Sequence, residues 1–199
     1  MNIRKATTEE FDSIYADMVK QFPPEELKPR EAFQRLFKDE SFDAFLVLNA
    51  ENEPVGYFTA YKIPKEKMVL LDHLAVFEKY HGKGYGTKLL PIMQKHYADW
   101  KGLILEVEQP SPHAPNTVRR VRFYKSCGAY KLDMCYLLPG PDGATPMDLY
   151  FLNCGNFKGQ VKPAEVVPAL REVFTRVHST FPNAKEVWKL LEKNYARGF

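Results

Sequence analysis

The chain has 199 residues, 45% of them apolar and 27% charged, which is the balance of one folded domain rather than of a disordered segment. Its 28 lysines and arginines against 25 acids leave a formal charge of +3, too weak a field to call for nucleic acid or an anionic membrane as partner. No apolar run approaches the roughly 20 residues of a membrane span, and the N-terminus lacks a signal-peptide pattern, so a cytoplasmic setting is expected.

Residues 2–6 read as a short strand. Thr7-Thr8-Glu9-Glu10 then offers a capping side chain to a helix on which Phe11, Ile14, Tyr15, Met18 and Phe22 recur at helical spacing. Pro23-Pro24 breaks that helix, and residues 30–38 form a second one with Phe33, Leu36 and Phe37 on one side. These phenylalanines are core at first reading, although the same segment could border an acceptor pocket.

Residues 44–48 and 55–63 flank a turn-rich stretch and predict a hairpin. Residues 68–76 continue the meander and run into Glu78-Lys79-Tyr80-His81-Gly82-Lys83-Gly84-Tyr85-Gly86. Leu89, Leu90, Met93 and Tyr97 then restore helical spacing, with a kink expected at Pro91. A strand over 103–107, a helix over 117–127, strands over 130–137 and 147–152, and two amphipathic helices over 163–177 and 184–194 complete the chain.

Cys127, Cys135 and Cys154 are an odd count without CxxC spacing, so neither a disulfide framework nor a metal site is expected. The Gly82, Gly84, Gly86 segment is the sharper signal. Alternate glycines let the backbone turn and bring amides to a ligand without Cβ obstruction, and the following helix adds its N-terminal dipole. Lys83 and Lys88 supply charge nearby, which suits a pyrophosphate. The spacing is neither the Walker pattern nor GxGxxG.

Leu74-Ala75-Val76 followed by His81-Gly82-Lys83-Gly84-Tyr85-Gly86-Thr87 resembles motif A of the GNAT acetyltransferases, Arg/Gln-x-x-Gly-x-Gly/Ala, with His81 where Arg or Gln is usual. The resemblance covers about residues 2–153. It implies an α/β (α+β) fold: a mixed, mostly antiparallel central sheet with helices on both faces. Residues 154–199 would add a C-terminal helical extension packed on the same domain. It further implies that the amides of Gly82, Lys83, Gly84, Tyr85, Gly86 and Thr87, beside His81, hold the pyrophosphate of acetyl-CoA, and that Leu74, Ala75 and Val76 offer backbone groups to the pantetheine arm.

The stretch around Tyr124, Gly128 and Tyr130 is similar to the family's second signature, which implies Tyr124 as general acid to the departing thiolate. Thr117 stands where that signature usually has Asn. Acyl transfer also needs a neutral amine. Glu106 and Glu108 share one face of a strand, and either could serve as base, as could Asp72, His73 or a water chain; Glu106 stands first. Arg119, Arg120 and Arg122 are read as a solvated helix face that could meet an anion, and His113 as surface.

The expected activity is transfer of acetyl to a primary amine, on a small molecule or a protein. The alternative is a non-catalytic acyl-CoA-binding module of the same fold. Homodimerisation through the C-terminal helices stays open.

Overall fold

The structure, a computed structural model, describes residues 1–198. Eight strands build one sheet: β1 (Asn2–Lys5), β2 (Phe42–Leu48), β3 (Pro54–Ile63), β4 (Met68–Val76), β5 (Gly102–Glu108), β6 (Tyr130–Lys131), β7 (Tyr136–Gly140) and β8 (Gly143–Asn153). The order is β1-β2-β3-β4-β5-β8-β6, with β7 also on β8. Every pairing is antiparallel except β4 with β5. The expected mixed, mostly antiparallel sheet is therefore what forms.

Six helices accompany it: α1 (Thr8–Gln21), α2 (Arg30–Leu36), α3 (Gly86–His96), α4 (Pro115–Ser126), α5 (Pro163–Arg176) and α6 (Ala184–Ala196). Helix α1 starts where a local signal demands it. Thr7 Oγ1 accepts from the Glu10 amide at 3.2 Å, and the Glu10 carboxylate accepts from the Thr7 amide at 2.9 Å, so two amides that no helical turn can satisfy are bonded. Phe11, Ile14 and Met18 lie on its buried stripe. Helix α3 runs unbroken through Pro91.

Strand alternation divides the interior in two. Ala44, Leu46, Tyr57, Ile104 and Phe151 pack with α1, α2, α5 and α6. Phe45, Val47, Phe58, Leu103, Leu105 and Leu152 pack with α3 and α4. The C-terminal helices thus bury Val166, Leu170, Val173, Phe174 and Leu191 in the same apolar cluster as Phe11, Met18 and Phe33. Truncation of Phe174, 3% exposed, to Ala is expected to cost about 3–5 kcal/mol, read by thermal melting. A loss under about 1 kcal/mol would mean that α5 contributes little to the core.

The stretch expected as one strand over 130–137 is instead two short ones. Between them the chain leaves the sheet edge through Leu132 to Cys135, where the Leu132 amide reaches Leu149 O and the Met134 amide turns back to Leu132 O. Strand β8 is correspondingly longer than expected, because Gly143 to Pro146 pair with β7 across a tight turn. Among the described residues no helix is long and apolar enough to cross a membrane.

Candidate functional site

The site begins with an irregularity in β4. Thr59 pairs with His73 and Ala60 with Leu71, so Asp72 is an extra residue, and the bulge aims two successive side chains at one place. The Thr59 hydroxyl lies 3.1 Å from His73 Nδ1 and 3.4 Å from Asp72 Oδ2. Strand β4 pairs with β5 only from Met68 to Leu71. Beyond the bulge the two strands separate, leaving the β4 edge without a strand partner through Leu74, Ala75 and Val76; there Val76 O accepts from Gln21 Nε2 at 3.0 Å instead.

A cavity of about 150 Å³ opens in that separation. Its inner wall is a buried set of ion pairs. Lys28, 2% exposed, places Nζ 2.5 Å from Asp72 Oδ1, and Asp72 Oδ2 lies 3.0 Å from His73 Nδ1. Burial opposes ionisation of Asp72, but Lys28 and His73 outweigh it and hold the carboxyl well below the usual carboxylate range.

Glu106 is walled in likewise. Its carboxylate accepts from His178 Nε2 at 2.8 Å and from the Tyr136 hydroxyl. Burial again opposes its charge, and His178, with the Tyr136 hydrogen bond, more than compensates, so the carboxyl is lowered. His178 comes from the turn after α5 and is 1% exposed. Glu108, one turn of the pleat further along β5, does not line the cavity; it pairs with Arg120 nearer the surface.

Two groups at the mouth, Tyr124 and Glu26, are unpaired among the described residues. Tyr124 and Arg120 project from one side of α4, four residues apart, and both line the cavity. The Tyr124 hydroxyl has no hydrogen-bond partner among the described residues. Burial raises its pKa, Arg120 pulls it back, and Glu108 and Glu26 add to the rise, so the phenol stays protonated. Facing α4 is Glu26, in the segment between α1 and α2. Burial, followed by the charge of Glu108, pushes its carboxyl up to about 7 against the opposing pull of Arg120.

The glycine segment lies at the outer end of β4. Gly82 and Gly84 adopt φ of 74° and 76°, a left-handed backbone that other residues enter at a cost of about 1–2 kcal/mol. A Cβ at either would meet no atom within 4 Å, so the requirement is for the backbone shape. Among the described residues no bond is made by the amides of Gly82, Lys83, Gly84, Tyr85, Gly86 or Thr87, and Tyr85 caps α3 with no side-chain bond. This row of free donors at a helix start suits an anion. Thr87 Oγ1 instead donates to Gly84 O at 2.9 Å. His81 turns away from the row: its Nε2 donates to Val76 O at 2.8 Å.

The Acetyltransferase (GNAT) family model matches residues 11–129. The chain belongs to the GNAT acetyltransferase family. A search of curated proteins finds no match. Among solved structures it is similar to a putative GNAT acetyltransferase from Bacteroides thetaiotaomicron, at 22% identity over 89% of this chain and 97% of that one, with a TM-score of 0.70. It is also similar to the ribosomal-protein-S18-alanine N-acetyltransferase of Escherichia coli (17% identity, 80% and 97% covered, TM-score 0.58). A spermidine/spermine N-acetyltransferase from Vibrio cholerae matches at 11% identity, with 78% and 95% covered and a TM-score of 0.60. At these identities the likeness is one of fold. The chain is thus a GNAT N-acetyltransferase by family.

In this GNAT enzyme the structure brings Leu74, Ala75, Glu106, Tyr124, Asp72 and His73 to one cavity, with the 81–87 loop at the outer end of the same strand. Thr117 is occupied locally, donating to Ala114 O at 2.8 Å and accepting from the Ser111 amide at 2.9 Å. Arg120 is only partly exposed, its guanidinium paired with Glu108, whereas Arg119, Arg122 and His113 are exposed. None of the three free cysteines lines the cavity, and burial pushes the Cys154 thiol up to about 12. Among the described residues no group of His, Cys, Asp or Glu is arranged to hold a metal ion.

Sequence reasoning missed Glu26, Lys28, Tyr136 and His178. Glu26 and Lys28 follow a proline break and carry no periodic signal. Tyr136 lay in a strand already read as apolar, and His178 beyond the family core.

Proposed function

We propose that this GNAT enzyme transfers an acetyl group from acetyl-CoA to a primary amine by direct attack, with Tyr124 protonating the departing CoA sulfur. The observation that carries the reading is the alignment of three features along one strand opening. The unbonded amides of Gly82 to Thr87 lie at its outer end, the β4 edge without a strand partner at Leu74 to Val76 in the middle, and the unpartnered Tyr124 hydroxyl at the cavity. The amides, with Lys83 and Lys88 beside them, would take the CoA pyrophosphate. The strand edge would hydrogen-bond the pantetheine amides as a further strand does. The thioester would then lie against Tyr124. His81, bonded to Val76 O, would brace the turn between strand and loop in place of the usual Arg or Gln.

Residues 1–153 would form the catalytic unit and 154–199 an extension of the same domain, because α5 and α6 share the core of α1 and α2. The acceptor is an amine, on a small molecule or a protein; the fold relatives named above include one of each kind. The test is thiol release from acetyl-CoA with spermidine, lysine and an alanine-initiated peptide, beside calorimetric titration of CoA. Amine-dependent release supports the transferase. Binding of CoA without release by any amine would favour the non-catalytic acyl-CoA-binding module, and absence of CoA binding would overturn both.

The loop has its own test. Gly84→Ala keeps the open space but disfavours a φ of 76° by about 1 kcal/mol or more, so CoA affinity is expected to fall several-fold, up to about tenfold. The melting temperature should barely move. An unchanged dissociation constant would remove Gly84 from the pyrophosphate cradle.

A further inference from the structure

Resting on the transferase reading above, we infer that Glu26, and not Glu106, takes the proton from the acceptor, and that the acceptor therefore enters the cavity as an ammonium ion. Three carboxylates line the cavity: Glu26, Asp72 and Glu106. Asp72 is closed by Lys28 at 2.5 Å and His73 at 3.0 Å, and Glu106 by His178 at 2.8 Å and by Tyr136. Protonating either would unpair a buried cation or strand a buried donor, and both carboxyls are lowered, the wrong direction for a base working near neutrality. Glu26 has no hydrogen-bond or ion-pair partner among the described residues and faces the side of α4 that carries Tyr124 and Arg120.

Each of the two cavity histidines is engaged through one ring nitrogen, and the other nitrogen of His178, Nδ1, is buried without a partner among the described residues. His73 Nδ1 is shared between Asp72 and Thr59, and the ring of His178 is packed near Phe174 and Phe181, with centroids at 5.4 and 6.3 Å. The segment bearing Glu26 is held on both sides. Phe22 stands edge-on to His73 at 4.9 Å, and Lys28 is pinned to Asp72. A carboxylate so positioned draws a cation into the cavity mouth without a competing partner. Its rise to about 7 comes from burial and then Glu108, with Glu106 and Glu25 adding and Arg120 opposing, and it matches the proton affinity that a base at neutral pH needs.

The proton count closes. The Glu26 carboxylate takes one proton from the ammonium, and the freed nitrogen lone pair attacks the thioester carbon. The C–N bond forms, the C–S bond breaks, and the Tyr124 phenol protonates the sulfur. The nitrogen's second proton returns to the phenolate, and the proton on Glu26 leaves to solvent at the mouth.

The test is the pH profile of kcat/KM with acetyl-CoA and whichever of spermidine or the alanine-initiated peptide releases thiol. The parent is expected to rise to a bend near pH 7 and then run flat below the amine's own pKa. Glu26→Gln is expected to lose about 10²-fold at pH 7 and to lose the bend, rising steadily with pH as free amine accumulates. Glu25→Gln removes a neighbouring charge outside the cavity and should keep the bend, moved slightly down. A bend near 7 that persists in Glu26→Gln, with release falling less than threefold, overturns the assignment while leaving the transferase intact. If no amine is turned over, the transferase reading is what fails. Carbon NMR titration of labelled Glu side chains then decides for Glu26: a carboxyl titrating near 7 and missing from Glu26→Gln keeps it as the cavity's proton acceptor, and its ionisation below pH 5 removes it.

Discussion

Tyr124→Phe is expected to lower amine-dependent thiol release by about 10²-fold at saturating acetyl-CoA, with little change in CoA affinity. The phenyl ring can still fill its place beside Phe123, 5.4 Å away, so the variant loses one proton and little packing. A loss confined to kcat means that the hydroxyl acts on the transition state; a loss confined to KM would mean that it only binds substrate. Because burial raises the phenol above its usual value near 10, Tyr124 is protonated throughout the working range, and no fall in rate from its ionisation is expected below that value. An undiminished kcat would leave the sulfur to be protonated by water and would withdraw Tyr124 as the acid.

The second large effect is on stability. Lys28→Met keeps most of the side chain's volume but leaves Asp72 buried with His73 and Thr59 alone, which is expected to cost about 3–5 kcal/mol near neutral pH. For a chain of this size that is a fall in melting temperature of roughly 10 °C or more. Its pH dependence gives the sign. In the parent, the folded pKa of Asp72 lies below its unfolded value, so this pair contributes stability above about pH 4 that is lost as pH falls through the folded value. Without Lys28, burial dominates and the folded pKa rises, so the deficit grows with pH above about 4 and shrinks in acid. Melting curves at pH 4 and pH 7 check this. A deficit of the same size at both would trace the loss to packing rather than charge.

The strand over 68–76, the glycine segment after it and the two helices bearing Leu89 and Tyr124 were legible from the residues, because each rests on a local property. Apolar periodicity sets a strand or helix within one window, and alternate glycines mark a backbone that only they adopt freely. The family resemblance rested on the same local runs; Glu26 belongs to none of its motifs, and His178 lies beyond the residues it covers. Glu106 and Glu108 looked equivalent, since alternation puts both on one face of β5. Only the packed molecule separates them: Glu106 lies under the C-terminal segment and meets His178, 72 residues away, while Glu108 reaches Arg120 toward the surface.

The bulge at Asp72, its pairing with Lys28 across 44 residues, and the approach of Glu26 to Tyr124 are equally beyond periodicity. They arise where the sheet opens between β4 and β5 and distant loops close over the gap. By itself the sequence determined the class of fold and the helix and loop that frame the site. Which carboxylate is sealed and which is free was decided by tertiary burial, because the proton affinity of a charged group depends on its desolvation and its partners, and neither is written in local spacing.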